Sequence, residues 1–590
     1  MGSSASREQA PVVDSKKNEA TALLTPAKSP PAGDGALEAG GPINIYDWRR
    51  IGYLAQYFAV GVLYGGLPAT QYGFFVAYLN VPAYVSAASS TLASLAWSFK
   101  IFFALITDAL PIGGYRRRPY MVIGWSIAAI FLLCLGAMPL PRPYYCLGAD
   151  GEYDLTRVCN EAAAESGMPF ALLMMMVAVG YVQADVAADA LTVQYARREP
   201  LATRGRTQTT AYLVRELGMI CSQLIVGFGM NGPEYNGSFS GGISFNAVCI
   251  ILAIPAVAMI PISWFLVEEP KLGGLSEPAR GNKGTAFADL KGGAATAGAK
   301  VEEGATPEGE EVPWSLRTYF STAATLLRSR LLFEVLCFFF LSNTIGGIGT
   351  TAGPEVQRVW ADVENLQNQL FSIAGHLLFV FGLWLVRTRF LDVSWRVMLT
   401  VTLSLSLIID MPFTFCTIFN VVRNQYFFLD DGLITSIPTA MNFVVSTYVM
   451  VEVAEPGTEG ITYGILTTAS NIGSPVASGI SNWIFGHFRP SLSHASNYVA
   501  DAPSFRNLVA LSYVISYIFG FASLAFLPLL PNQKADTQER KASTQRHSTF
   551  AIANVSILGV AIVYAVTVNF LAVFPATSCL EIAGGEGCGS

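Results

Sequence analysis

Charged residues stand inside long apolar runs in the first half of this 590-residue chain, among them Lys100, Asp185, Asp189 and Arg215, with Glu216 directly after the last. A charge at mid-membrane costs roughly 2.5–3.5 kcal/mol on insertion scales, so such residues face a protein interior and often line a solute path. Asp185 and Asp189 are one helical turn apart and share a face. At about 1.5 Å per residue, Lys100, the Asp pair and Arg215 all fall at similar depth. Two chemistries are open. Lys100 and Arg215 can bind the carboxylates of a solute while Asp185 or Asp189 holds a protonated ring or a coupling proton. Equally, these charges can neutralise one another and fix helix packing. Glu216, Asp410 and His376 are the candidates for carrying a coupling proton.

The elements that must position these residues are membrane helices. Apolar residues make up 52% of the chain and charged residues 13%, and the apolar residues come in long blocks. Crossing the hydrocarbon core takes about 20 mostly apolar residues. Thirteen blocks qualify, near 51–78, 84–110, 120–140, 169–195, 208–229, 243–266, 331–352, 370–386, 395–420, 426–451, 461–485, 507–530 and 550–574. Gly61 and Gly65 in the first are spaced for close helix contact. The first 42 residues are polar and hold no signal-peptide pattern, so the first span is expected to act as its own insertion signal. The net charge of −6 argues against a nucleic-acid partner.

Positive residues collect on the cytoplasmic side of a membrane protein. With the N-terminus inside, the inner segments hold 28 of the 36 Lys and Arg residues and the outer loops six. The same orientation puts Asn236, in an Asn-Gly-Ser glycosylation pattern, in an outer loop. It also puts two cysteine pairs outside, where disulfides can form: Cys146 with Cys159 in one loop, Cys579 with Cys588 in the tail. The opening Met-Gly-Ser-Ser-Ala-Ser makes Gly2 a candidate for myristoylation.

A stretch rich in Gly, Ala, Glu and Lys divides the first twelve blocks six and six, and the thirteenth follows. Glu199-Pro200 before the fifth block is echoed by Glu455-Pro456 before the eleventh, each followed by Gly and Thr at similar spacing. The expected organisation is a disordered cytoplasmic tail over 1–43, a six-helix half over 44–268, a flexible cytoplasmic linker over 269–328 and a second six-helix half over 329–531. A basic linker, a thirteenth helix and an outer tail follow over 532–590. No P-loop, metal-ligand cluster or nucleophile motif occurs, and His occurs four times. No metal, cofactor or enzymatic activity is therefore expected, and transport would draw on a gradient.

The most specific run is Asp108-Ala-Leu-Pro-Ile-Gly-Gly114-Tyr-Arg116-Arg117-Arg118-Pro-Tyr120, between the second and third blocks. An acidic residue followed by Gly and basic residues here resembles the signature loop of the major facilitator superfamily. The fuller string, with Trp97, Ser98 and Lys100 upstream, resembles the folate-biopterin transporter family. So do the run Ala184–Ala190 around Asp185 and Asp189, and the spacing of Gln208, Arg215 and Gly218. The resemblance implies a major facilitator-type bundle of six plus six helices, here all-α with an additional C-terminal helix. It implies that Asp108, Gly114, Arg116, Arg117 and Arg118 form a loop that latches the two halves during alternating access. It implies secondary, proton-coupled transport of a folate- or pterin-like solute. The chain departs from the family at Ile101, where Pro is usual, at Gln194 and Tyr195, where Glu and Arg are usual, and at Glu216, where a small or apolar residue is usual.

Two alternatives stay open: a facilitator-type carrier of another solute, such as S-adenosylmethionine or an organic anion, and a non-transporting receptor or scaffold. A multi-pass protein of the plasma membrane is expected, with the vacuolar or plastid membrane as the other choices. Its expected partners are a small solute, a coupling proton and the bilayer.

Overall fold

Lipid offers the backbone no hydrogen-bond partner, so a crossing segment must close its bonds within itself. In the computed structural model, which describes residues 41–48, 50–148, 153–200, 206–269, 316–390, 393–454 and 459–588, every predicted apolar block forms a helix. They are α1 Ile51–Gln71, α2 Ala83–Ala109, α3 Arg118–Ala137, α4 Gly167–Arg197, α5 Arg206–Gly229 and α6 Phe245–Phe265. After the linker come α7 Arg330–Gly346, α8 Asn365–Leu385, α9 Trp395–Ile418, α10 Gln425–Val453, α11 Glu459–Phe485, α12 Pro503–Ala522 and α13 Ser548–Val573. Among the described residues, ten of these helices are long and apolar enough to cross a membrane. The other three are α7, with 17 residues, and α1 and α11, which bury Gln56, Thr70 and Gln71 and Thr462, Thr468 and Asn482. The chain is an integral, multi-pass, helical membrane protein.

The helices depart from the sequence expectation in three places. The second block is not one continuous α-helix: a 3₁₀ turn over Ala96–Phe99 interrupts α2 immediately before Lys100. Asn471 of α11 donates to the Trp97 carbonyl in that turn, at 3.1 Å. The loop after α3 contains a two-stranded hairpin, Tyr145–Leu147 against Tyr153–Val158. The segment expected as linker ends in a helix, Leu316–Leu327, because Leu326 finds an apolar surface to bury against. Gly2, the rest of 1–40 and 270–315 lie outside the described residues.

The apolar core falls into one large cluster, built mainly from α1 to α6, and smaller ones built mainly from α7 to α12. Within the first group α1 packs on α5, and α3 on α4 and α6. Within the second, α8 and α9 pack on α10, and α7 on α11. Between the groups α5 meets α8, and α2 meets α11.

The α1–α5 contact is made backbone to backbone. A Cβ on Gly61 would lie 2.0 Å from the Arg215 carbonyl oxygen, and one on Gly218 would lie 2.3 Å from the Phe58 carbonyl oxygen. Small residues let helices approach this closely where lipid supplies no hydrophobic drive. The approach also sets where the Arg215 side chain stands. Gly61→Ala must push the helices apart, at a cost of about 1–3 kcal/mol for overpacking. We expect a lowered unfolding temperature for Gly61→Ala in detergent. Gly464→Ala serves as control, since its nearest atom is at 3.9 Å, and should leave the transition unchanged.

Candidate functional site

Lys100 leaves the 3₁₀ break of α2 and points at α4. Its Nζ lies 2.9 Å from Asp189 Oδ2 in a hydrogen bond. It also lies 2.8 Å from Asp185 Oδ2, close enough for an ion pair but outside hydrogen-bond alignment. Asp185 is 1% exposed. Tyr57 of α1 donates to Asp189 Oδ1 at 2.9 Å, and Tyr57 and Tyr53 both share hydrogen bonds with Thr192. The Lys100 ammonium also sits 4.6 Å from the Trp97 ring centroid. The indole N–H of Trp97 donates to Tyr181. The sequence pattern thus brought together an ammonium, two carboxylates and an aromatic wall.

The Trp97 ring meets Tyr64 edge to face, at 5.0 Å between centroids. Tyr64 carries the wall on to Arg215, whose guanidinium stands 4.7 Å from the Tyr212 ring and 5.8 Å from Tyr64. Beyond Arg215, Glu216 reaches across to α8. Its Oε2 lies 3.2 Å from His376 Nδ1, while the other ring nitrogen of His376 bonds Gln223 at 3.3 Å. Tyr64, Tyr212, Arg215, Glu216 and His376 line a cavity of about 690 Å³ between α5, α8 and α10, with Phe371 and Phe379 on its far wall. Around Lys100 and Arg215, two cations face three carboxylates, Asp185, Asp189 and Glu216.

Asp410 is not part of this cavity. It accepts hydrogen bonds from Tyr517 and Thr414, and with Asp431 it lines a smaller one of about 170 Å³ between α9 and α10. In the predicted latch loop Asp108 pairs with Arg117, which also donates to Thr107 at 3.0 Å. Gly114 takes a left-handed φ of 84°. The backbone N–H groups of Arg116, Arg117 and Arg118 all donate to the Glu269 carboxylate, at 2.7–2.9 Å. They form an anion cradle at the N-terminus of α3. Among the described residues no group of three His, Cys, Asp or Glu side chains is placed to hold a metal ion.

Both cysteine pairs are joined, Cys146 to Cys159 and Cys579 to Cys588, and both bonds lie at the same end of the helices. That disulfide end is closed by contacts between the two helix groups. Arg358, after α7, is 2% exposed. It pairs with Glu355 at 2.8 Å, donates to Asn80 at 2.7 Å and covers the Tyr145 ring of the hairpin. Tyr72 and Asn236 both donate to the Val363 carbonyl. Leu366 N–H donates to Asn231, and Gln369 to the Ala69 carbonyl. Burial first, then the neighbouring Glu364, raises the Asp362 carboxyl above its ordinary pKa. The Asn236 amide, expected as a glycosylation site, is thus spent on this closure, and a glycan there would have to displace its bond to Val363.

Sequence reading missed Glu355 and Arg358 as a buried pair, because their block ends at α7 and they read as loop residues. It also missed Tyr57 and Tyr64. Their spacing of seven, two helical turns on one face of α1, was a readable signal.

Residues 56–149, which include the whole Trp97–Tyr120 run, match the model of the BT1 family. A segment of 179 residues is 24% identical to a probable folate-biopterin transporter of Arabidopsis thaliana, covering 30% of each chain. Another of 178 residues is 26% identical to a folate-biopterin transporter of Synechocystis, covering 30% of this chain and 31% of that one. The matches thus span about a third of the length of these curated relatives. The chain resembles the folate-biopterin transporters over that stretch. Among solved structures, a D-xylose-proton symporter superposes with a TM-score of 0.53 at 12% identity, over 82% of this chain and 97% of that one. The fold is of the major facilitator type.

Removing Lys100 would leave Asp185 and Asp189 facing each other without the cation that pairs with both. Breaking a buried pair in this way typically costs about 3–5 kcal/mol. We expect Lys100→Met to give little folded protein by size-exclusion chromatography, and Lys100→Met with Asp185→Asn to restore much of it. Equal losses in both variants would show that Lys100 holds the fold by something other than this charge.

Proposed function

We propose that this chain is a secondary transporter of a folate- or pterin-like solute, working by alternating access between a half over 44–268 and a half over 329–531. The observation that carries the reading is the cavity between α5, α8 and α10, where one guanidinium stands among aromatic rings. Its volume suits a small organic ligand, since ligand sites run to roughly 300–1,000 Å³. A planar ring would stack among Tyr64, Tyr212, Phe371 and Phe379, and a carboxylate would take Arg215. The tight closure of the disulfide end fits a protein that opens to one side at a time. The disulfides and the distribution of Lys and Arg favour that end as the non-cytoplasmic one, with the plasma membrane the preferred location.

Proton coupling belongs to the same reading. Two cations against three carboxylates leave one negative charge in excess, which a proton on the Glu216–His376 pair would cancel. That pair spans the two halves, so its charge state bears directly on how they sit together. A second reading is favoured by Glu216 itself. A carboxylate beside an arginine suits a zwitterion, and S-adenosylmethionine carries both a carboxylate and a sulfonium.

Uptake of labelled folate into cells expressing the protein, competed with unlabelled folates, pterins and S-adenosylmethionine, separates the readings. Competition by folates or pterins is expected; competition by S-adenosylmethionine alone would overturn the substrate assignment. Losing a charge-assisted hydrogen bond costs about 1.5–3 kcal/mol, so Arg215→Ala should weaken uptake about 10- to 100-fold at unchanged surface level. Glu216→Gln should abolish the stimulation of uptake by an inward proton gradient while sparing exchange of labelled for unlabelled solute. Undiminished stimulation would remove Glu216 from the coupling.

A further inference from the structure

Thirteen helices are one more than a six-plus-six bundle needs, and the extra one lies in a specific place. α13 packs on both α2 and α11, the two helices that meet where the helix groups touch. Its fit there is close: a Cβ on Gly479 of α11 would lie 3.0 Å from Val568 and 3.3 Å from Tyr564. Asn569, fully buried, donates to the Pro475 carbonyl of α11 at 3.1 Å. In lipid such an amide has no water to turn to, so the bond holds the helix in register.

The two ends of α13 are fastened differently. At the end away from the disulfides it is attached to the Leu316–Leu327 helix and the turn after it, and to α7 of the second group. Asn554 donates to the Leu327 carbonyl, Arg330 N–H to the Gln545 carbonyl and His547 N–H to the Arg328 carbonyl, each at 3.0 Å. Arg540 reaches Glu334 of α7 at 3.3 Å. At the disulfide end the chain that follows α13 is closed into a small loop by Cys579–Cys588, and this loop sits on both groups. Gly584, at a left-handed φ of 99°, wedges between Tyr84 of α2 and Asn482 of α11. A Cβ there would lie 3.0 Å from the Cβ of each. Beneath it Asn482, 1% exposed, donates to the Tyr84 carbonyl at 3.3 Å. Ala583 is fully buried.

We propose that α13 and its disulfide-closed tail form a strap, carried by the second helix group, that holds the disulfide end of the α2–α11 contact shut. The closure by Arg358, Asn80 and Val363 joins the two groups by polar bonds between residues outside α13. The strap adds a cover at α2–α11 that must lift or slide before α2 and α11 can part. Its consequence is a bias toward the state closed at the disulfide end. This inference rests on the alternating-access reading for its role in transport, but the clamp itself is a property of the free protein.

Hydrogen–deuterium exchange of the full chain in lipid nanodiscs, without solute, tests the clamp. Two variants release the tail in different ways: Cys579→Ser with Cys588→Ser opens the loop, and Gly584→Leu fills the wedge. Both should raise exchange at the start of α2 (83–90) and the end of α11 (478–485) by about tenfold, since local opening sets exchange. Peptides of α3 and α9, which α13 does not hold, serve as the internal reference and should stay as in the wild type. Wild-type exchange at 83–90 and 478–485 in both variants would overturn the strap. Raised exchange there in a protein that takes up neither folate nor pterin would leave the strap standing and overturn the folate or pterin reading instead.

Discussion

An ammonium inside a bilayer must find its counter-charge within the protein. Lys100 does so with two carboxylates on α4, and much of the arrangement around it follows from that need. To present the ammonium to α4, α2 breaks its helix at Ala96–Phe99, and α11 supplies an amide to the exposed carbonyl of Trp97. Because one lysine cannot fully neutralise two aspartates, Tyr57 donates to Asp189, and Arg215 stands on the adjoining α5. The backbone contact at Gly61 holds that arginine at its depth. A chain of aromatic rings, Trp97, Tyr64 and Tyr212, then connects the ammonium to the guanidinium, and the cavity opens beside the latter.

Besides the α2–α11 contact, two kinds of contact join the helix groups. At the disulfide end they are tied by bonds to backbone carbonyls and by a buried arginine. In the cavity they meet through Glu216 and His376, groups whose charge can change. If the protein works by alternating access as proposed, a solute or a proton arriving in the cavity would act on the second kind, and the first would have to give way for the cavity to open at the disulfide end. On the proposed reading this division is what couples binding to movement.

Much of the helical frame was legible in the sequence, because a bilayer forces a 20-residue apolar run into a helix whatever its neighbours. Lys100, Asp185 and Asp189 were legible for the same reason: a mid-membrane charge has few tolerable explanations. What escaped was set by contacts between segments distant in sequence. The 3₁₀ break before Lys100 is bonded by Asn471, more than three hundred residues away. Arg358 looked like a solvent-facing loop residue and is buried by Asn80 and the hairpin. Asn236 carries a glycosylation pattern that local sequence cannot distinguish from a structural amide. Asp410 was grouped with Glu216 and His376 by its place in an apolar run, but α9 turns it toward Tyr517 and a separate cavity.

The central claim is that the cavity beside Arg215 is where the solute binds. A structure of the protein with a reduced folate bound tests this most directly. A carboxylate of the ligand is expected on the Arg215 guanidinium, with its ring system among Tyr64, Tyr212 and Phe379. A ligand seated elsewhere, with Arg215 still turned to Tyr212 and Glu216, would contradict it.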